Sequence, residues 1–321
     1  MKTLFNLTDS RYDLERFASR KDLEDLLEGF DGIELMHMEE DTRGIISPDM
    51  VVGYHMTMPE YWLDFWRGDL ARCEAEFVTL ENAFQHYHGD TPEALVKMIR
   101  TAFQKAISYG AEYAVLHVSE AGIWEEITGR YHYSDPEVID GFCELVNAAI
   151  PGNFASDTRP WLLLENLWQP GLNLRNPEIT ARLMESIHYP KKGIVLDTGH
   201  LMHTNLSLRS QKEAVRFIHQ RLDEHGELCQ FIKAVHLHQS LTGQAMRNFM
   251  KHPPIPAPTY EERFGQLFNY VFAVDRHQPF VGEGVRELVA RINPFYLVYE
   301  FISRDLEEHK KMLRRQQAVF R

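Results

Sequence analysis

The stretch Trp161–Trp168, WLLLENLW, places one carboxylate, Glu165, inside an apolar run. A short unbroken run of this kind, preceded by Pro160 and followed by a Gln-Pro-Gly turn, is typical of a buried strand in a parallel sheet. An ionised glutamate is costly to bury unless another charge compensates it. Two interpretations of Glu165 are therefore open: a salt-bridged residue at a strand end, or a ligand for a metal or substrate.

Histidine and carboxylate side chains recur at the ends of other strand-like runs. They are His55 in GYHMT, His117 in VLHVS, Asp197 and His200 in LDTGH, His236 and His238 in VHLHQ, Asp275 and His277 in VDRHQ, and Glu300 in VYEF. Imidazole and carboxylate together suit Zn²⁺, Mn²⁺ or Fe²⁺ better than Mg²⁺. The pattern predicts a metal site. His236 and His238 are two residues apart and share one face of a strand, so either could be the ligand.

Eight strand-like runs alternate with amphipathic helical stretches, and this alternation predicts a (β/α)8 TIM barrel. The predicted strands are Thr3–Thr8, Gly32–Met38, Val51–Thr57, Tyr113–Ser119, Trp161–Leu167, Gly193–Thr198, Ile232–His238 and Phe295–Phe301. The predicted helices are Asp13–Leu27, Pro92–Tyr109, Asp135–Ile150, Asn176–Ile187, Ser210–His225 and Arg304–Phe320. In such a barrel the carboxyl ends of all strands meet at one mouth, which would bring the polar side chains together.

We expect one barrel domain over residues 1–321, with two insertions, at about 59–91 and 241–293, lying over the active face. In the first insertion, Trp62 and Trp66 could form the floor of a site for a flat substrate, or they could pack a short lid helix onto the barrel. In the second, Arg276 could contact a phosphate or pair with a surface acid.

Composition narrows the function classes. The formal charge of −13 counts against DNA as a partner, because nucleic-acid binders are more often basic. The amino terminus becomes polar too early for a signal peptide, and no apolar run approaches the length of a membrane span. Three cysteines without CxxC spacing indicate reduced thiols in a cytoplasmic protein. The oligomeric state cannot be read from the sequence.

The motifs LLLEN, LDTGH, VHLHQS, DRHQPFVGEG and YLVYEF resemble those of the xylose isomerase-like TIM-barrel superfamily. The resemblance covers nearly the whole barrel. That superfamily contains sugar isomerases and epimerases, and also the endonuclease IV class of DNA repair enzymes. The resemblance to the epimerases implies a single-metal set of Glu165, Asp197, His236 and Glu300, in which the two glutamates also transfer protons.

The resemblance to the endonuclease IV branch implies three Zn²⁺ ions. The first would be bound by His55 and His117, with Glu165 bridging to the second. Asp197, His236 and Glu300 would complete the second set. His200, Asp275 and His277 would form the third. The insertion EYWLDFWRGD instead looks like that of a bacterial branch, the cobamide-remodelling phosphodiesterases, which hydrolyse the nucleotide-loop phosphodiester of cobamides.

These features favour a metal-dependent phosphodiesterase that acts on a small phosphorylated or sugar-like substrate. We expect Glu165, Glu300 and His200 to be catalytic, and Arg276, His238, Trp62 and Trp66 to contact substrate. A sugar or sugar-phosphate isomerase or epimerase with Glu165 and Glu300 as bases is the first alternative, although it gives His55 no required role. An endonuclease acting on abasic sites in DNA is the second.

Overall fold

Eight parallel strands close into a barrel in chain order, with β1 paired to both β2 and β8. The computed structural model describes residues 1–39, 41–152 and 159–321. The strands are β1 Lys2–Thr8, β2 Gly32–Met36, β3 Val51–His55, β4 Tyr113–His117, β5 Trp161–Glu165, β6 Lys192–Asp197, β7 Ile232–His236 and β8 Tyr296–Tyr299. The predicted (β/α)8 TIM barrel is confirmed.

Helices follow the strands around the outside of the barrel and fill the two insertions. They are α1 Arg11–Leu14, α2 Arg20–Leu26, α3 Leu63–Arg67, α4 Leu70–Phe77, α5 Leu80–Tyr87, α6 Glu93–Tyr109, α7 Ile123–Thr128, α8 Asp135–Ala149, α9 Pro177–Ser186, α10 Thr198–His203, α11 Gln211–His225, α12 Gly243–Lys251, α13 Tyr260–Val274, α14 Val285–Ile292 and α15 Leu306–Gln317. Each helix in the described part of the chain is too short or too polar to cross a membrane.

The prediction of one helix over Asp13–Leu27 is wrong, because the chain forms α1 and α2 there. The Ser19 and Asp22 side chains reciprocally bond backbone N–H groups in a capping box, and this starts a new helix at Arg20. Seven of the predicted strands also extended too far at their carboxyl ends. Strand β7, for example, ends at His236, so His238 lies beyond it.

The barrel interior has an apolar layer and a polar layer. The apolar layer contains Leu4, Val52, Tyr113, Val115, Leu163, Val195, Ala234, Tyr296 and Val298. At the carboxyl ends the strands are in register, with His117 opposite Glu165 and Asp197 opposite His236. Polar side chains from neighbouring strands are therefore held at one level, above the apolar layer.

The segments after β3 and β7 carry most of the extra structure. Residues 59–91 contain α3, α4 and α5, and residues 241–293 contain α12, α13 and α14. The two segments touch: the Tyr260 hydroxyl lies 3.4 Å from His86 Nδ1, and Arg263 donates to the carbonyls of Ala75 and Glu76. They therefore form one connected layer beside the barrel mouth.

Candidate metal centre

The nine predicted metal ligands lie in one connected cluster at the carboxyl ends of the strands. Five of them end strands β3 to β7, Glu300 follows β8, His200 lies in α10, and Asp275 and His277 follow α13. Eight are buried, and His117 is the partly exposed member. The structure therefore brings these side chains together, while their role as ligands remains a prediction.

Glu165 is at the centre of this cluster. Its Oε2 lies 3.1 Å from His55 Nε2 and 3.5 Å from His117 Nε2. Its Oε1 lies 3.2 Å from His200 Nδ1 and 3.3 Å from His236 Nδ1. Because the two oxygens face different groups of imidazoles, Glu165 is the carboxylate that two cations would share if both were bound.

The first set of possible ligands consists of His55, His117 and Glu165, and the second consists of Glu165, Asp197, His236 and Glu300. Within each set the potential ligand atoms all lie within 4.8 Å of one another. His236 Nδ1 is 3.2 Å from Glu300 Oε2. His236 Nδ1, Glu165 Oε1 and Glu300 Oε2 are buried and have no hydrogen-bond partner among the residues that the structure describes. Buried polar atoms are rarely left unsatisfied, so three that converge on one space fit a bound cation.

Glu34 was missed by the sequence analysis, although it is 1% exposed and touches this set. Its carboxylate lies 3.0 Å from His236 Nε2 and accepts a 2.6 Å hydrogen bond from the Tyr113 hydroxyl. Gly53 makes this possible, because a Cβ there would lie 2.3 Å from the Tyr113 hydroxyl. With its Nε2–H donated to Glu34, His236 presents the lone pair of Nδ1 to the second set.

A signal for Glu34 was present in the sequence. The run GIELM contains one carboxylate among apolar residues, as WLLLE does. Glu34 lies two residues before the end of β2, below the strand-end positions where the metal ligands were predicted.

His200, Asp275 and His277 form a third set, whose potential ligand atoms lie within 4.8 Å of one another and of a ring nitrogen of His238. Asp275 Oδ2 lies 3.3 Å from His200 Nε2 and 2.7 Å from His277 Nε2. The other ring nitrogen of His200 is 3.0 Å from the carbonyl oxygen of Asn166, which orients the ring. Asn166 also pairs with the backbone of Asp197 through both atoms of its amide. The LEN sequence therefore positions members of the second and third sets.

His238 lies beside the third set, but its ring is not oriented to bind the same ion as His277. Its ring stacks on His277 with centroids 3.8 Å apart and planes at 7°. Imidazole lone pairs lie in the ring plane, so two parallel rings at this distance cannot both aim at one ion. His238 Nε2 instead lies 2.8 Å from Asp197 Oδ2. His236 is therefore the candidate ligand of the pair.

Three of the predicted substrate contacts have partners within the protein. His238 is fully buried, and its Nε2 contacts Asp197. Trp62 is also fully buried, and its indole Nε1 donates to the carbonyl of Ser119 at 2.8 Å. The indole Nε1 of Trp66 lies 3.4 Å from Glu144 on α8, outside the barrel. The two tryptophans therefore pack α3 onto the barrel. Arg276 is exposed next to Asp275, and its role remains a prediction.

Carboxylates and imidazoles in the cluster shift one another's pKa values. Burial alone would raise the pKa of Glu165, Glu300 and Asp275, but the neighbouring imidazoles outweigh it and hold these values well below the usual range. Burial would lower the pKa of His277, but Asp275 and Glu300 raise it to about 9. Without cations, protons on the imidazoles balance the carboxylates. A divalent cation would displace them.

A sequence model of the family described as "Xylose isomerase-like TIM barrel" matches residues 24–313. No curated protein matches significantly in sequence.

Three similar solved structures have barrels of comparable length. Endonuclease IV from Thermus thermophilus is 16% identical, with 100% of this chain and 99% of that chain covered and a TM-score of 0.50. A D-psicose 3-epimerase is 13% identical, with 99% of each chain covered and a TM-score of 0.54. The IOLI protein with a binding zinc atom is 12% identical, with 100% and 96% covered and a TM-score of 0.51. Identities this low show a shared fold.

Proposed function

Because the chain belongs to the xylose isomerase-like TIM-barrel family, we propose that it is a metal-dependent phosphodiesterase with up to three clustered cations. One observation carries this proposal: two candidate donor sets share Glu165, and His200 of a third set contacts the same carboxylate. A single-metal isomerase needs only the second set. The close approach of His55, His117, Asp275 and His277 to that set is explained when additional cations are bound.

The donor atoms fit divalent cations. Imidazole nitrogens and carboxylate oxygens are mixed in every set, which suits Zn²⁺, with Mn²⁺ or Fe²⁺ as alternatives. Three atoms of the second set, which lack a hydrogen-bond partner in the described part of the chain, would supply lone pairs to a cation. The zinc named for the IOLI protein, which has the same fold, agrees with this choice.

Clustered divalent cations, when bound, neutralise a phosphate and make its attacking water more acidic. The chain supplies the groups around them. Glu300 is 7% exposed whereas Glu165 and Asp197 are fully buried, so Glu300 is the second-set carboxylate that a water entering from the mouth meets first. Burial would raise its pKa, but His236 and His277 outweigh burial and hold the value low in the metal-free cluster, so Glu300 is an ionised carboxylate there.

Two other residues have proposed roles at the mouth. His200 contacts both Glu165 and Asp275, so it keeps the shared carboxylate and the third set at a fixed separation. Arg276 is exposed between two members of the third set and forms no ion pair within the described part of the chain, so its guanidinium is free to meet a phosphate. The nucleotide-loop phosphodiester of a cobamide is one substrate that this arrangement would accept.

An isomerase or epimerase remains the second candidate, because Glu165, Asp197, His236 and Glu300 alone complete a four-donor set. Glu165 and Glu300 would then be its proton-transfer bases. An endonuclease acting on DNA is disfavoured by the charge of −13.

Metal analysis of purified protein distinguishes these candidates. We expect about three zinc-like ions per chain and hydrolysis of bis(4-nitrophenyl) phosphate, without turnover of ketoses or aldoses. His277→Ala should remove one ion and slow hydrolysis by about 100-fold, the order seen when one positioned charge-stabilising group is lost. One ion per chain with sugar turnover would establish the isomerase instead. An unchanged hydrolytic rate in His277→Ala would exclude a role for the third ion.

A further inference from the structure

Helix α13 presents an uncharged row of aromatic rings to solvent. Phe264, Phe268 and Phe272 are spaced four residues apart, and their exposed fractions are 37%, 47% and 57%. Neighbouring rings pack on one another, with centroids 4.8 Å apart for the first pair and 5.9 Å for the second. Between Arg263 and Asp275 the helix carries no charged residue. A contiguous row of exposed rings without charges marks an interaction surface.

Partly exposed apolar residues widen this row on one side. Tyr260 stacks on Phe264 with centroids 5.9 Å apart, and Leu267 and Val271 follow Phe264 and Phe268 at the three-residue spacing of helix neighbours. We call these six residues, Tyr260, Phe264, Leu267, Phe268, Val271 and Phe272, the α13 face. It leaves on the order of 400 Å² of apolar surface in solvent, a size at which a patch on a monomer is often functional.

Gly265 lies next to the rings, in the middle of the helix. Glycine is among the least favourable residues at such a position. A Cβ built at Gly265 would meet nothing within 4 Å among the described residues, so packing within the chain does not require glycine there. The missing side chain leaves a hollow beside Phe268, into which a ring from a second surface can pack.

The charges at the two ends of α13 favour an antiparallel pair of helices. Glu261 and Glu262 lie in the first turn, and the exposed Arg276 follows the last turn. A parallel pair would bring the acidic turns of both copies together. An antiparallel pair separates them and directs each towards the basic end of the other helix, while the uncharged middle segments meet.

The size of the α13 face suits a symmetric dimer. In a two-fold pair centred on Phe268, the Phe264 ring of each copy lies opposite the partner's Phe272. Because roughly 60% of an interface is apolar, an apolar core on the order of 400 Å² implies about 700 Å² per partner. That area is at the lower end of the standard range for stable complexes.

We infer that a second copy of this chain covers the α13 face, and that the protein is a homodimer whose two α13 helices pack antiparallel. Exposed rings become buried, the hollow at Gly265 is filled, and the acidic turns are kept apart. This dimer does not depend on which reaction the metal centre catalyses, so it stands or falls separately from the proposed hydrolase.

Sedimentation equilibrium of the full chain tests the dimer at about 100 μM, above the micromolar dissociation constants of the weaker standard interfaces. Phe268→Glu and Gly265→Glu each place a charge at the centre of the pair. The second has free space within the monomer, so it separates lost pairing from lost folding. Phe295→Glu is the matched control, because Phe295 is 49% exposed but precedes β8 at the amino end of the barrel.

We expect a dimer for the wild type and the control. Both α13 variants should show a dissociation constant raised at least 100-fold, with circular dichroism spectra like that of the wild type. Phe268→Cys should cross-link to its own copy with a short bismaleimide, since Phe268 lies at the two-fold axis, whereas Phe295→Cys should not.

A dimer that persists in both folded α13 variants, or a Phe268→Cys dimer that does not cross-link, would overturn the inference. A monomeric wild type would also overturn it. If that monomer sedimented with phosphatidylcholine vesicles and Phe268→Glu did not, the α13 face would belong to a lipid surface instead.

Discussion

The imidazole of His238 stacks on that of His277, with centroids 3.8 Å apart, while its Nε2 lies 2.8 Å from a carboxylate oxygen of Asp197. One buried ring therefore joins the second set of donors to the third. Its position depends on Gly199, because a Cβ at that residue would lie 2.0 Å from the His238 ring. The LDTGH and VHLHQ motifs are thus coupled through the ring of His238.

We expect His238→Ala to weaken the third cation by about 10- to 100-fold, as loss of outer-shell partners commonly does. Removing the ring frees His277 from its stacking partner and Asp197 from its hydrogen bond. Titration of EDTA-treated protein with Zn²⁺ measures the change. His225→Ala is the control, because His225 is a buried histidine that bonds Thr180 and Arg221 away from the cluster. Equal zinc affinities in the wild type and His238→Ala would refute the positioning role.

Glu34→Gln should weaken the cation of the second set by about tenfold or more. The carboxylate accepts from His236 Nε2, whereas a glutamine amide can present a donor there and so destabilise the tautomer that leaves Nδ1 free. Tyr113→Phe removes only the hydroxyl that donates to Glu34, so its effect should be smaller. Zinc titration again provides the measurement. A larger loss in Tyr113→Phe than in Glu34→Gln would contradict this order.

Glu165→Gln should reduce turnover by at least about 10³-fold, whichever reaction the protein catalyses. Its carboxylate is fully buried and contacts His55, His117, His200 and His236, so an amide there leaves two donor sets incomplete. Metal content should fall together with activity. Asp140→Asn, on the exposed surface of α8, is the control for expression and folding. Retention of activity in Glu165→Gln would remove the bridging carboxylate from the mechanism.

Much of the fold could be predicted from the sequence, because each strand is a short apolar run bounded by turn residues. The barrel follows from the alternation of those runs with amphipathic helices. Strand ends were harder, since the apolar pattern continues through Leu237, beyond the end of β7 at His236. The break between α1 and α2 was missed because the capping pair Ser19 and Asp22 lies inside a helical pattern.

Some residues of the candidate site could be predicted from the sequence and others could not. Residues at strand ends could be predicted, because the topology of a barrel alone brings them together. The roles of Trp62, Trp66 and His238 could not, because exposure depends on how the insertions and α10 pack. Glu34 was overlooked because it lies below the strand ends, where only the contact with His236 reveals its role. The direction of a side chain outside a regular strand depends on packing, which residue spacing does not show.

Proton binding offers a further test, because the metal-free cluster should depend on pH in a defined direction. Asp275 and Glu300 outweigh the effect of burial and raise the pKa of His277 to about 9, from 6.5. The stabilisation from its protonated ring is therefore complete below pH 6.5 and lost as the pH rises through about 9. For one group this amounts to about 3 kcal/mol. Burial lowers the pKa of His200 and His236, but their acidic neighbours outweigh burial and raise both values. These two rings therefore also stabilise the metal-free protein at low pH and lose that effect as the pH rises.

We therefore expect the thermal midpoint of EDTA-treated protein to fall between pH 7 and pH 9.5, while the zinc-loaded protein changes much less. A cation occupies the place of the proton in the loaded protein, so deprotonation costs nothing there. Thermal unfolding followed by circular dichroism across this pH range measures both. EDTA-treated His277→Gln should have a lower midpoint at pH 7 and a flatter pH profile, because it lacks one of the titrating rings. A midpoint that rises with pH in the metal-free wild type would show that burial, rather than the facing carboxylates, controls these imidazoles.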